Sequence, residues 1–238
     1  MISLSIDTCD SRGSIAIRAD GYVVGARRHD SAEDYSSWLL PAVDSAVSEA
    51  ALNFEGLNLI AVATGPGSFT GVRVGLTSAK AWGEVYKTPL VGISRLEAIA
   101  SQARGTAPWT AAFYDAHRGQ IFAALYCSTN HQLELVESDM VGAPLDFLRV
   151  VNAQANRTPV RWISLDPQLL TTLPEWNSRA ALNEQIELCS SELATAIGKI
   201  AEQRVRQGLT TDALHLDANY VRRSDAELFW KGPNPSET

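Results

Sequence analysis

The chain has 238 residues, 45% hydrophobic and 20% charged, a balance that excludes wholesale disorder and leaves room for one large domain or two lobes. Its formal net charge of -7 excludes broad electrostatic capture of a nucleic-acid backbone, so any RNA would have to be held by a partner. Cys9, Cys127 and Cys189 are too widely spaced for a zinc site or a disulfide framework and read as small buried hydrophobes.

The first residues, MISLSID, lack the basic start and apolar run of a signal peptide, and no stretch approaches a membrane span, so a cytoplasmic location is expected. Ile2, Leu4 and Ile6 alternate with serines, and Ile15 and Ile17 continue the period of two, which predicts strands. Asp20-Gly21 supplies a two-residue turn that pairs Ile15–Arg18 with Tyr22–Ala26. A helix follows over Ser37–Ala51, with Leu39, Val43, Val47 and Ala50 inward; Pro41 places its start near Ser37 or Trp38. Leu57–Ala63 reads as a strand covered on both faces, Gly71–Tyr86 as a second helix, Leu90–Ile93 as a strand and Leu96–Ala103 as a third helix.

Arg104–Pro108 breaks both flanking patterns and marks the lobe boundary. Trp109–Tyr114 and Ile121–Cys127 then form two strands joined by a turn over Asp115–Gln120, which echoes the opening of the chain and hints at a duplication. Val136–Glu187 gives few signals beyond a strand at Arg161–Leu165. Ser191–Gln207 reads as a final helix ended by Gly208, and the tail from Gly232 reads as disordered.

The segment Gly65-Pro66-Gly67-Ser68-Phe69-Thr70-Gly71-Val72-Arg73 lies between a buried strand and a helix, where backbone N–H groups can hold an anion. It is neither a Walker A loop nor a dinucleotide fingerprint. The alternative is packing: Gly71 and Gly75, four apart on one face, let the helix approach another element closely. Asp7, at the end of the first strand, reads on its own as an aspartate that bonds nearby backbone donors. Arg73 either meets a phosphate or holds a partner carboxylate, and Asp115 is read as a turn initiator in preference to a cleft residue.

IDTCDSRGSIAI, GPGSFTGVRVG, PLVGISRLEAIA, DAHRGQIF and the late NYVRR together resemble the TsaB (YeaZ) family. The resemblance covers most of residues 1–126 and resumes near Tyr220. It implies a two-lobed α/β fold of the actin-like/Hsp70 ATPase (ASKHA) type with a truncated second lobe. The lobes would span 1–105 and 106–224, with the C-terminal helix free to pack back on the first, and 225–238 a flexible tail.

The resemblance also implies a non-catalytic accessory subunit, working with the catalytic paralogue TsaD and the ATPase TsaE to place threonylcarbamoyl on the adenosine beside the tRNA anticodon. It would need no cofactor, touch tRNA only through the complex and form a homodimer when alone. Arg95 and Ile99 stand where the paralogue carries its two metal-binding histidines, and neither can replace them. Asp7, Gly65, Gly67, Ser68, Thr70, Gly71 and Arg73 would then be a vestigial nucleotide site. Trp38, Leu40, Gly71, Val74, Gly75, Ala81 and Trp82, on the first two helices, would form the partner face. His117, Gln120 and Phe122 depart from the family's usual DARxGEVY turn, and Tyr35 replaces a common histidine. A small-molecule kinase or ATPase of the same fold is the alternative; a metallopeptidase would need a metal and a general base.

Overall fold

The computed structural model describes residues 1–29, 33–129 and 132–221. The chain opens as an antiparallel meander of β1 (Ile2–Asp7), β2 (Ser14–Ala19) and β3 (Tyr22–Arg28). Asp20 and Gly21 at its first tip have φ of 51° and 89°, the left-handed pair that the predicted two-residue turn requires.

Helix α1 (Tyr35–Glu49) begins earlier than the position of Pro41 implied, so the proline lies inside it. The Asp34 carbonyl accepts the amides of both Ser37 and Trp38 at 3.0 Å, closing a turn before the proline is reached. Ser37 and Pro41 are both exposed, so the carbonyl that lacks a helical donor faces solvent.

Strand β4 (Leu59–Ala63) is buried at all five residues because it runs parallel between β1 and β5 (Leu90–Ile93) with helices on both faces. Between these two strands lies α2 (Phe69–Tyr86), and α3 (Arg95–Ala100) follows β5.

In the second half, β6 (Trp109–His117) and β7 (Gln120–Thr129) run further than expected. The six-residue turn contracts to a tip where His117, Arg118 and Gly119 all have positive φ. Then come β8 (Gln132–Leu135), β9 (Met140–Gly142), α4 (Pro144–Ala155), β10 (Val160–Ser164), α5 (Gln168–Thr171), α6 (Asn177–Ala180), β11 (Ile186–Leu188) and α7 (Ala194–Arg206).

The duplication is explicit in the topology. The first sheet has the order β3-β2-β1-β4-β5 and the second β8-β7-β6-β10-β11, with β9 added on β7. In each, two antiparallel partners flank the founding strand on one side and parallel strands lie on the other.

The helix after each fifth strand crosses to the other lobe. Helix α3 packs on β6 and β7, and α7 on the first sheet. Strand alternation sorts the two faces of that sheet. Ser3 and Ser5 point to α7, where the Ser3 hydroxyl donates to Glu202 at 2.9 Å, and a Cβ on Gly198 would stand 2.8 Å from Ser5 Oγ. Ile6 and Val62 point the other way, toward Gly75 of α2. One core therefore runs from Leu4, Ile6 and Ile99 to Tyr114, Ile163 and Ile197, and a smaller one gathers Phe147, Trp162 and Trp176 beneath α4.

Beyond α7, Gly208 takes the left-handed conformation expected of its position, with φ of 75°. The chain then returns to the first lobe. Thr211 bridges Leu90 on the edge of β5, Leu216 is buried, and the Asn219 amide donates to the Thr64 carbonyl at 2.7 Å. The expected tail at 225–238 lies outside the described residues.

Candidate functional site

Asp7 ends β1 and is fully buried. One carboxylate oxygen accepts the Cys9 amide, and the other lies 3.0 Å from Arg95 Nε. Arg95 opens α3 behind its N-cap, Ser94, whose hydroxyl accepts the Glu97 amide. Its guanidinium also reaches Asp10 at 3.2 Å and lies 4.5 Å from the centre of the Tyr114 ring. Asp10 pairs with Arg12 in turn, and Arg12 makes two bonds to Asp166, at 2.8 and 3.1 Å, just past β10.

An ion chain Asp7–Arg95–Asp10–Arg12–Asp166 thus links the end of β1 to the residue past β10. Three carboxylates against two guanidinium groups leave one negative charge in excess. Burial opposes ionisation of Asp10, but Arg95 and Arg12 outweigh it and hold its carboxyl well below the usual carboxylate range. Burial, with Asp7 adding to it, pushes the Cys9 thiol far up. The Tyr114 hydroxyl donates to the Pro66 carbonyl and ties β6 to the glycine loop.

The glycine loop turns its polar groups inward. The Ser68 amide donates to the Cys9 carbonyl at 2.7 Å, the Gly71 amide to the Ser68 hydroxyl at 3.3 Å, and the Thr8 hydroxyl to the Gly71 carbonyl at 2.7 Å. A Cβ on Gly67 would stand 2.2 Å from the Cys9 carbonyl oxygen, and one on Gly71 2.0 Å from that of Thr8. The glycines therefore dock α2 against the end of β1, as the packing alternative required. Gly65 has φ of 108° beside the Asn219 carbonyl.

Ser68, Phe69, Thr70 and Arg73 remain exposed. The Arg73 guanidinium lies 3.6 Å over the Phe69 ring and its Nε donates to the Tyr220 hydroxyl at 3.1 Å. The late Asn-Tyr pair is thus brought onto the glycine loop; Arg222 and Arg223 lie outside the described residues.

On the outer face of the first sheet, α1 and α2 pack side by side. Leu40 is 58% exposed and Ala81 is exposed. Trp38 is half-buried edge-on to His29, Val74 half-buried against the core, and Trp82 half-buried with its ring 5.4 Å from Phe54. Two of the expected face residues do not belong there, because Gly71 and Gly75 are buried and look toward Thr8. Ala46 is fully buried and its carbonyl abuts Gly25.

Asp115 accepts the His117 amide at 2.7 Å and donates its own to Asp166 at 2.9 Å, the behaviour of a turn initiator. Tyr35 donates its hydroxyl to the Asp10 carbonyl. Ile99 is fully buried, and among the described residues no group of three His, Cys, Asp or Glu side chains is placed to hold a metal. No helix among them is long and apolar enough to cross a membrane. Asp10, Arg12, Tyr114 and Asp166 join the site although nothing in their sequence singles them out. The first two sit in the quoted IDTCDSRGS segment, but Asp166 carries no local signal.

Residues 28–230 match the family model described as TsaD, tRNA N6-adenosine threonylcarbamoyltransferase. The chain is 30% identical over 234 residues to the tRNA threonylcarbamoyladenosine biosynthesis protein TsaB of Bacillus subtilis, covering 97% of this chain and 98% of that one. Among solved structures it is similar to YeaZ from Pseudomonas aeruginosa, with a TM-score of 0.68 at 20% identity over 92% of this chain and 99% of that one. The activator of 2-hydroxyisocaproyl-CoA dehydratase from Clostridium difficile shares the fold at a TM-score of 0.51 and 10% identity, over 87% of this chain and 97% of that one. With the duplicated sheet order, these place the fold in the actin-like/Hsp70 ATPase class.

Proposed function

We propose that this chain, which belongs to the TsaB (YeaZ) family, takes part in making threonylcarbamoyladenosine in tRNA as a non-catalytic accessory subunit that binds TsaD. The observation that carries this reading is the Arg95 guanidinium, which is fully buried and paired with Asp7 and Asp10. A polyphosphate entering there would have to displace a buried cation and would meet an excess of carboxylate, both unfavourable. The loop amides that would cradle it, those of Ser68 and Gly71, are already bonded within the protein.

The same geometry weighs against a kinase or ATPase acting alone. Asp7, Gly65, Gly67, Ser68, Thr70, Gly71 and Arg73 are best read as the scaffold that docks α2 on β1, with Arg73 stacked outside. The partner face is read as the exposed side of α1 and α2, led by Leu40 and Ala81 and rimmed by Trp38, Val74 and Trp82. In the absence of TsaD the same face would serve a homodimer. TsaE would join through the assembly, tRNA would be held by the partners, and the site of action would be the cytoplasm.

Co-purification with TsaD, alongside ATP turnover of the isolated chain, tests the reading. The expected result is a stable complex and no appreciable hydrolysis. Turnover by the chain alone, without partner capture, would overturn it.

A further inference from the structure

A second polar cluster lies outside the Asp7–Arg95 chain, where the returning C-terminal segment meets the loop before β9. Asp139, in that loop, accepts the Ser94 hydroxyl at 3.2 Å and the Asn219 side-chain amide at 2.6 Å, both on Oδ2. Its other oxygen, Oδ1, is buried and has no hydrogen-bond partner. Tyr126 of β7 is 3% exposed, and its hydroxyl also has no partner, although it stands beside Ser94 and in the field of the Asp139 and Glu97 carboxylates. Two buried oxygens left this way in one cluster call for a ligand that neither side chain supplies.

Charge decides the kind of ligand. Arg204 of α7 gives two bonds to Glu97, at 2.6 and 2.8 Å, and one to the Gly92 carbonyl at 2.8 Å. The guanidinium is thus committed to Glu97, and Asp139 meets only the neutral donors of Ser94 and Asn219. Two carboxylates against one guanidinium leave one negative charge in excess. Burial raises the Asp139 carboxyl, and that of Glu97 despite Arg204, as expected of charge that its surroundings under-compensate. That balance excludes an anion. A divalent ion would overshoot it, and would ask for more carboxylate oxygen than Asp139 Oδ1 leaves free.

We propose that this cluster binds one monovalent cation of sodium or potassium size, held by Asp139 Oδ1, with the Tyr126 hydroxyl as a neutral second ligand and water completing its shell. The ion neutralises the excess charge and satisfies both oxygens at once. Its effect extends to the glycine loop, because Asn219, fixed by the same carboxylate, donates its backbone amide to the Thr64 carbonyl at 2.7 Å. The inference stands whether or not the accessory role holds.

Thermal melts of the full-length protein at neutral pH and fixed ionic strength, in sodium, potassium or tetramethylammonium chloride, test the site. Sodium or potassium should raise the melting temperature by roughly 3–5 °C over tetramethylammonium, and the gain should grow with concentration as a binding equilibrium requires. Asp139→Asn, which keeps the side chain's shape, should abolish the difference, and Tyr126→Phe should shift it to higher ion concentration. Crystals soaked in rubidium chloride should show an anomalous peak beside Asp139 Oδ1. Equal melting temperatures in all three salts would overturn the site, as would a sodium or potassium advantage that Asp139→Asn retains. A rubidium soak without a peak there would also overturn it. Stability that follows pH but not the cation would assign the cluster to a proton and count against the ion equally.

Discussion

Arg95 Nε lies 3.0 Å from Asp7 Oδ2 with both side chains fully excluded from solvent. Two buried charges are tolerated because each answers the other, and removing one leaves the other uncompensated.

Arg95→Ala should therefore cost about 3–5 kcal/mol, read as a lower urea midpoint with an unchanged slope. Asp7→Ala should act in the same direction, and the two losses together should be far from additive, because the second removes a charge already stranded.

The glycine loop gives a paired test of close packing. Gly71→Ala would drive a Cβ to 2.0 Å from the Thr8 carbonyl oxygen, a clash with backbone that has no cheap escape, and should cost more than about 3 kcal/mol or prevent folding. Gly105→Ala, at φ of 74° with open space around it, should cost only about 1 kcal/mol. Thermal melts of the two distinguish steric from conformational demand.

Leu40 and Val74 separate the partner face from the core. Leu40→Glu changes an exposed side chain and should leave stability within about 0.5 kcal/mol of the parent while abolishing TsaD capture. Val74→Glu would push a carboxylate toward the core that Val74 packs against, so it should lose both binding and stability. Sedimentation and pull-down beside circular dichroism check both.

Acid should act in two stages. Burial raises the Asp139 carboxyl, and raises that of Glu97 despite Arg204; ionising these groups costs folding energy at neutral pH, a cost relieved as pH falls through their raised values. Asp10 is depressed, so the stability it contributes is complete above its unfolded value of about 3.9 and is lost only below it. Stability should hold or rise slightly from neutrality to about pH 5 and fall steeply below about pH 4. Asp139→Asn should flatten the first stage, which urea titrations across pH would show.

The first sheet was legible because its strands alternate cleanly and Asp20-Gly21 favours a two-residue hairpin turn. The second sheet was half legible. Its β6–β7 hairpin announces itself, but β9 and β11 are three-residue strands fixed by pairing with longer neighbours, and α5 and α6 are single turns, too short to show any period. The candidate site was misread where local and tertiary signals diverge. Gly71 and Gly75 share a helix face, but only the position of Thr8 decides which way that face looks. Arg95 could be identified as an incapable metal ligand from its type, whereas its pairing with Asp7, 88 residues away, depends on the crossing of α3 to the second lobe.

The most direct measurement is mass spectrometry of the nucleosides of tRNA from cells depleted of this chain. Threonylcarbamoyladenosine should fall on depletion, and return with the wild-type chain but not with Leu40→Glu. An unchanged level under verified depletion would contradict the account.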